Sequence, residues 1–449
     1  MSAENQPKTI SRRDLLLGAA ATGLGLTGLG GALYWWAKQN EADQKSSSES
    51  GETGMAKITA TPQSLSEPIP TVQPTAIPRE LSFPETGTYS KENLLRLQEL
   101  EPQPKIDQRI GVVHVNGRYP REPEVGFFEY GVEVLTRLGF QTTEIALVPQ
   151  EFTQHTGMAI PSGTTLDQLA QREDVAAVFN HPGLRNISVT TEVAGSGTVN
   201  AWQLPQEGAF NPGTLQATYE EYFRFASIIL QRFGGNGKQI TILGPNELDW
   251  HALGGTPGAL GRTGEDIPEH ALENARLYLN AYLRGIRDAN RNFPEAAPLR
   301  TAVEINRVRD IWNGRKRILN AVLPALDFPP DQVGYSSYGT LDKGNLFPKA
   351  LAEIKRYAPQ SRVVVSEFGL PENRADVQER FTRQEVAQLY LERIQEALEG
   401  GIERFMIWQL TDNETTQLNP NNDQCNGFWL VRPDGSLTET YRMISRSFS

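Results

Sequence analysis

Two glutamates in this 449-residue chain stand where an apolar run breaks. In "TILGPNELDW" the run Thr241-Ile242-Leu243 stops at Gly244-Pro245, and Asn246 and Glu247 follow side by side. In "RVVVSEFG" the run Val363-Val364-Val365 ends in Ser366 and Glu367. A lone acid at a strand end is ordinarily just solvated. Two at equivalent strand ends, facing across one opening, can divide a reaction between them: one carboxyl protonates a leaving oxygen while the other attacks or activates water.

Such a pair needs elements that bring distant segments together. Eight short β-branched runs fall at 109–115, 141–148, 175–180, 239–243, 299–305, 332–338, 362–367 and 404–410, nearly all separated by segments of helical period. In "YEEYFRFASIILQRFGG" residues Tyr222, Phe225, Ala226, Ile229 and Leu230 draw one apolar stripe, and Gly234-Gly235 ends it. The alternation predicts an α/β fold, a (β/α)8 TIM barrel over residues 105–449. A doubly wound open sheet competes, but it needs a Gly-rich first turn, and "HVNGRYPRE" is not one. In a barrel, chemistry gathers at the carboxyl ends of the strands. Glu247 then ends the fourth strand and Glu367 the seventh.

"GPNELD" and "VVVSEFG" resemble the strand-four and strand-seven motifs of clan A glycoside hydrolases, the large retaining group on (β/α)8 barrels. The resemblance runs from about residue 109 to 448, through "RFMIWQL" and a closing strand-turn-helix in "GFWLVRPDGSLTETYRMI". It implies Glu247 as acid/base, Glu367 as nucleophile and Asn246 as partner of the sugar 2-hydroxyl. Trp408 matches the aromatic floor beneath the sugar. In "QVGYSSYG" Ser336 stands where many members carry His, and Tyr338 where they carry the Tyr that bonds the nucleophile. Core packing competes for both Trp408 and Tyr338. The activity implied is cleavage of β-linked oligo- or polysaccharides by a two-carboxylate double displacement. A catalytically idle barrel that binds glycan at the cell surface is the alternative.

Further candidates lie in the loops and along the strands. "VFNHPG" puts Asn180 and His181 at the mouth of the third strand, where His181 either binds a sugar hydroxyl or caps a loop. The loop 183–212 offers Trp202 and Phe210 as stacking surfaces, and His114 is read as satisfied inside the barrel. A formal charge of −11 argues against nucleic acid as a partner. One cysteine, Cys425, excludes a disulfide framework, and the five histidines do not cluster. No cofactor and no metal are expected.

The amino terminus, "SRRDLLLGAAATGLGLTGLGGALYWWAKQ", resembles a twin-arginine export signal through Arg12, Arg13, Leu15 and Leu16. Its uncharged run of roughly 23 residues would extend about 35 Å as a helix, enough to cross a bilayer core. Tyr34-Trp35-Trp36 suits an interface anchor. Residues 1–40 are therefore read as a signal or membrane anchor, and the Ser/Pro/Glu-rich stretch 41–104 as a disordered linker. The expected partners are a carbohydrate, the twin-arginine machinery and, if the segment is uncleaved, a membrane. The expected location is a periplasmic or extracellular face.

Overall fold

The computed structural model describes residues 102–115, 126–254, 264–340, 344–411, 426–432 and 436–449. The export-signal and linker readings lie outside those residues, as does Cys425. Eight parallel strands close on themselves in sequence order: β1 Ile110–Val113, β2 Thr142–Leu147, β3 Asn186–Thr191, β4 Gln239–Leu243, β5 Arg300–Ile305, β6 Gln332–Ser336, β7 Arg362–Phe368 and β8 Phe405–Ile407. Closure is made by β1 against β8, Ile110 pairing with Phe405 and Val112 with Ile407. Helices Phe127–Arg137, Glu173–Asn180, Pro212–Phe233, Glu269–Asn292, Leu346–Tyr357 and Arg383–Glu399 cover strand-to-strand crossovers. Between β5 and β6 that place is taken by a short π-helical turn, Ile318–Val322, and a 3-10 turn, Leu323–Ala325. The barrel expected from the alternation is present.

The helix Pro212–Phe233 shows why the sequence folds this way. Asn211 accepts the main-chain N–H groups of Gly213 and Thr214 at 3.0 and 3.2 Å, and Pro212 follows at the first helical position. Its stripe, Tyr222, Phe225, Ala226, Ile229 and Leu230, is wholly buried. On the helix Phe127–Arg137, Gly131 leaves room for the His114 ring, because a Cβ there would lie 2.0 Å from His114 Nε2. His114 stacks on Phe127 at 4.1 Å between ring centroids and bonds its carbonyl at 3.0 Å. Burial holds the ring neutral, its pKa lowered to about 4. His114 was read as satisfied inside the barrel; it is buried, but between β1 and this helix, and its Nδ1 has no partner among the described residues.

One strand was misplaced. Residues 175–180 belong to the helix Glu173–Asn180, and the third strand is Asn186–Thr191. Val175, Ala176, Val178 and Phe179 bury one face at helical spacing, while Glu173 and Asp174 sit in the first turn where the helix dipole favours acids. The true β3, "NISVTT", is polar on its inward side because the barrel interior there is polar. Ser188 faces the Arg404 guanidinium at 3.4 Å, and the Thr190 hydroxyl donates to Glu144 at 2.8 Å. Arg404 also donates to Gln239 and Thr241, which gives the barrel floor a satisfied buried cation.

Candidate active site

The strand ends of β4 to β8 converge on one mouth. Glu247 follows the β4 break in a left-handed backbone conformation, φ 47° and ψ 42°, the one non-glycine with positive φ among the described residues. A side-chain residue persists there only if its surroundings hold it. Here its main-chain N–H donates to the Glu304 carboxylate of β5 at 2.8 Å. Two residues on, Asp249 accepts the N–H groups of Asn306, Arg307 and Ile318 at 3.2, 3.1 and 2.8 Å. The turn carrying Glu247 is thereby tied to the loop after β5.

Glu367 reaches the mouth through a bulge in β7. Gly334 of β6 pairs with Val364, but Ser336, two residues on, pairs with Glu367, three residues on. The same slip recurs against β8, where Val365 pairs with Phe405 and Phe368 with Ile407. An extra residue in one strand re-aims its side chains. Ser366 and Glu367, neighbours in sequence, both meet interior groups: Ser366 lies beside Glu304, and Glu367 accepts the Ser336 hydroxyl at 3.1 Å.

Asn306 and Ser336 stand close enough to Glu247 to favour its ionised form. Burial nevertheless dominates. Glu247 is pushed up to about 8, first by desolvation and then by the Glu304 charge. Glu367 is raised well above the usual carboxylate range by desolvation, then by the charges of Glu304, Glu247 and Glu144. Glu304 rises to about 7 through burial, held back by Ser366 and the Glu247 N–H. These carboxyls repel one another and do not ionise together.

Around them stand the other expected residues. Asn246 is half-buried in the β4 turn, and its main chain bonds the His251 ring. Trp202, on the turn Ala201–Gln203, meets that ring edge-on at 4.2 Å, so it belongs to the same mouth. Phe210 is buried against Tyr278 and offers no stacking face. Tyr338 is buried just past β6 with its ring edge-on to Phe428. Trp408 follows β8, nearly buried, and its indole Nε1 has no hydrogen-bond partner among the described residues. Gln409 is likewise buried, with its amide atoms unpaired among the described residues. Buried polar atoms without partners are rare in folded proteins, and around a cleft they mark where a polar ligand completes the set.

His181 is not among them. It caps the helix Glu173–Asn180 ahead of β3, at the opposite end of the barrel from the mouth. Its ring lies 3.4 Å from Glu133 and accepts the Gly183 N–H, a loop-capping role. The substrate-binding assignment fails because it rested on the misplaced third strand. Conversely, Glu304 and Glu144 were passed over. Each is an acid inside a β-branched run, "TAVEI" and "TTEIAL", and that mismatch was the available signal.

Neither a family model nor a curated protein matches the sequence. Solved structures match in fold. One is a GH5_18 protein from Bifidobacterium longum subsp. infantis, at 12% identity and a TM-score of 0.49, over 76% of this chain and 78% of that one. An exo-beta-1,4-mannosidase from an Opitutaceae bacterium gives 14% identity and 0.48, over 76% and 59%. A calcium-binding mutant of Bacteroides uniformis beta-glucuronidase 2 gives 18% and 0.45, over 76% and 34%. The chain thus spans about a third of that glucuronidase and under two thirds of the mannosidase. These are likenesses of the barrel alone, and the chemistry of the site rests on its own geometry.

Proposed function

We propose that the chain is a retaining glycoside hydrolase acting on β-linked oligo- or polysaccharides, with Glu367 as nucleophile and Glu247 as acid/base. The observation that carries the reading is that Glu247 and Glu367, from the ends of β4 and β7, are both buried at one mouth, near enough for the charge of Glu247 to raise Glu367. Retaining enzymes need about 5–5.5 Å, whereas inverting ones leave about 6.5–9.5 Å for a water.

In the first step the Glu367 carboxylate attacks the anomeric carbon and forms an ester. The glycosidic C–O bond breaks, its electron pair goes to the leaving oxygen, and Glu247 supplies the proton there. Both carboxyls are raised and do not ionise together, so the pair keeps a proton at neutral pH, and the step uses the state in which that proton lies on Glu247. The Ser336 hydroxyl donated to Glu367 favours ionisation of the nucleophile. Once Glu367 is esterified its charge is gone, and Glu247 can titrate down and act as base on the incoming water. Asn246, Tyr338, Trp408 and Trp202 surround the sugar in this reading, with Trp408 Nε1 paired to a substrate oxygen. The export-like run at Arg12-Arg13 would place the barrel on the outer face of the cell membrane, where such glycans lie.

The test is a panel of β-glucans, mannans, xylans and galactans, with a fluorosugar trap read by mass spectrometry. Turnover with net retention and an adduct on the peptide containing Glu367 is the expected result. Binding without turnover, and no adduct at Glu367, would leave a glycan-binding barrel instead.

A further inference from the structure

The proposed pair does not use the third carboxyl at the mouth. Glu304 is fully buried on β5, and each of its oxygens meets a different strand. Oε1 accepts the main-chain N–H of Glu247 at 2.8 Å. Oε2 is turned from solvent beside the Ser366 hydroxyl of β7, with neither atom in a closed hydrogen bond. Between them on β6 lies Gly334, which pairs with Glu304 across the sheet. A Cβ at Gly334 would come within 2.9 Å of Ser366 Oγ, so this glycine keeps open the space in which Glu304 and Ser366 face each other.

We propose that Glu304 is a positioning residue of the site, holding the Glu247 turn by its main-chain N–H and acting on Glu247 and Glu367 through its charge more than its bulk. The inference rests on the glycosidase reading for its catalytic consequence but not for its electrostatics. Glu304 is the charge that weighs most on both Glu247 and Glu367. The groups facing this cluster are Glu144 of β2, Asp249 of the β4 turn, Ser336 of β6, Ser366 and Glu367 of β7, and, below Glu144, Arg404 of β8. Arg404 is spent on the floor, bonded to Ser188, Gln239 and Thr241. Ionised Glu304 keeps Glu247 protonated, as an acid must be, and at the same time resists ionisation of Glu367. Its titration therefore shapes both limbs of a pH–rate profile.

The variant Glu304→Gln keeps an oxygen for the Glu247 N–H and removes the charge. Removing one charge at a range of roughly 6 Å, with an effective dielectric of ~20, lowers the neighbours' pKa values by about one to two units. Both limbs of the kcat/KM profile should move to lower pH by that amount. A brace that acted only by shape would leave the profile where it was, and an unshifted profile overturns the proposal.

A second measurement needs no turnover. Carboxyls with raised pKa values stabilise the fold at low pH and lose that contribution as pH rises through their folded values. From pH 5 to 9 the urea midpoint of Glu304→Gln should therefore rise relative to wild type. A constant difference between the two proteins across that range would sink the inference, even in an inactive chain. Should the glycan panel show no turnover while the midpoints diverge, the glycosidase reading falls and the charge coupling stands.

Discussion

Asp249 holds the acid/base turn against the loop after β5, and the substitution Asp249→Asn measures what that hold contributes. The carboxylate is buried and accepts three main-chain N–H groups, two on Oδ2 and one on Oδ1. An asparagine keeps one oxygen and turns an NH2 toward the other side. Whichever way the amide lies, at least one N–H loses its acceptor and faces a second donor. Bonds to a charged acceptor contribute about 1.5–3 kcal/mol each, and a buried donor left unpaired costs a comparable amount. The expected destabilisation is therefore about 2–4 kcal/mol, within the roughly 5–15 kcal/mol of a typical domain, so the protein still folds. The catalytic effect should be larger in proportion. Glu247 lies two residues away in the same turn, and a displacement of about 1 Å can cost about a hundredfold in rate. Urea unfolding followed by kcat on an aryl glycoside reads both quantities. A variant within about 1 kcal/mol of wild type, with kcat intact, would refute the claim that this tie positions Glu247.

Further outcomes follow from the same geometry. Glu247→Gln should slow substrates with poor leaving groups by about 10²–10⁴-fold while sparing activated aryl glycosides; equal losses on both would count against its role as acid. Trp408→Phe removes a buried indole N–H that no described residue pairs, so KM should rise by about tenfold while thermal stability holds or improves; a stability loss would mean the N–H already has a partner. Glu192, buried beyond β3, is raised to about 8 chiefly by desolvation, and it accepts the N–H of Ala201 next to Trp202. Its folded pKa lies above its unfolded value, so its contribution is complete below about pH 4 and lost as pH rises through 8. Glu192→Gln should abolish that part of the decline in a pH series of urea midpoints. Gly131→Ala drives a Cβ into the His114 ring and should lower the melting temperature sharply, with Gly131→Ser no better.

Seven of the eight strands were legible because their β-branched runs are dense and bounded by turn residues. β3 was not, since its inward side chains serve a polar interior and its apolar density is low. The helical run before it, with Val175 and Val178, looked more like a strand than the strand did. That single slip carried His181 to the wrong end of the barrel. The catalytic candidates were legible for the opposite reason: Glu247 and Glu367 interrupt apolar runs at strand ends, a contrast that needs no tertiary information. Glu304 was hidden because it lies one residue inside its strand. Only the closed barrel shows that its neighbours across the sheet are a glycine and a serine. The β7 bulge was equally hidden, because register is a property of paired strands and leaves no mark in one of them.

The chain enters and leaves the barrel at the same end. Ile106 bonds Gly139, Asp107 bonds Phe448, and the Tyr441 hydroxyl bonds Leu138, all at the side where the strands begin. The cleft opens at the other pole. The described chain therefore meets the barrel at the pole away from the carboxyl cleft. Neither the first described segment nor the last helix crosses the cleft, so both ends of the barrel chain can be extended or fused without touching the mouth.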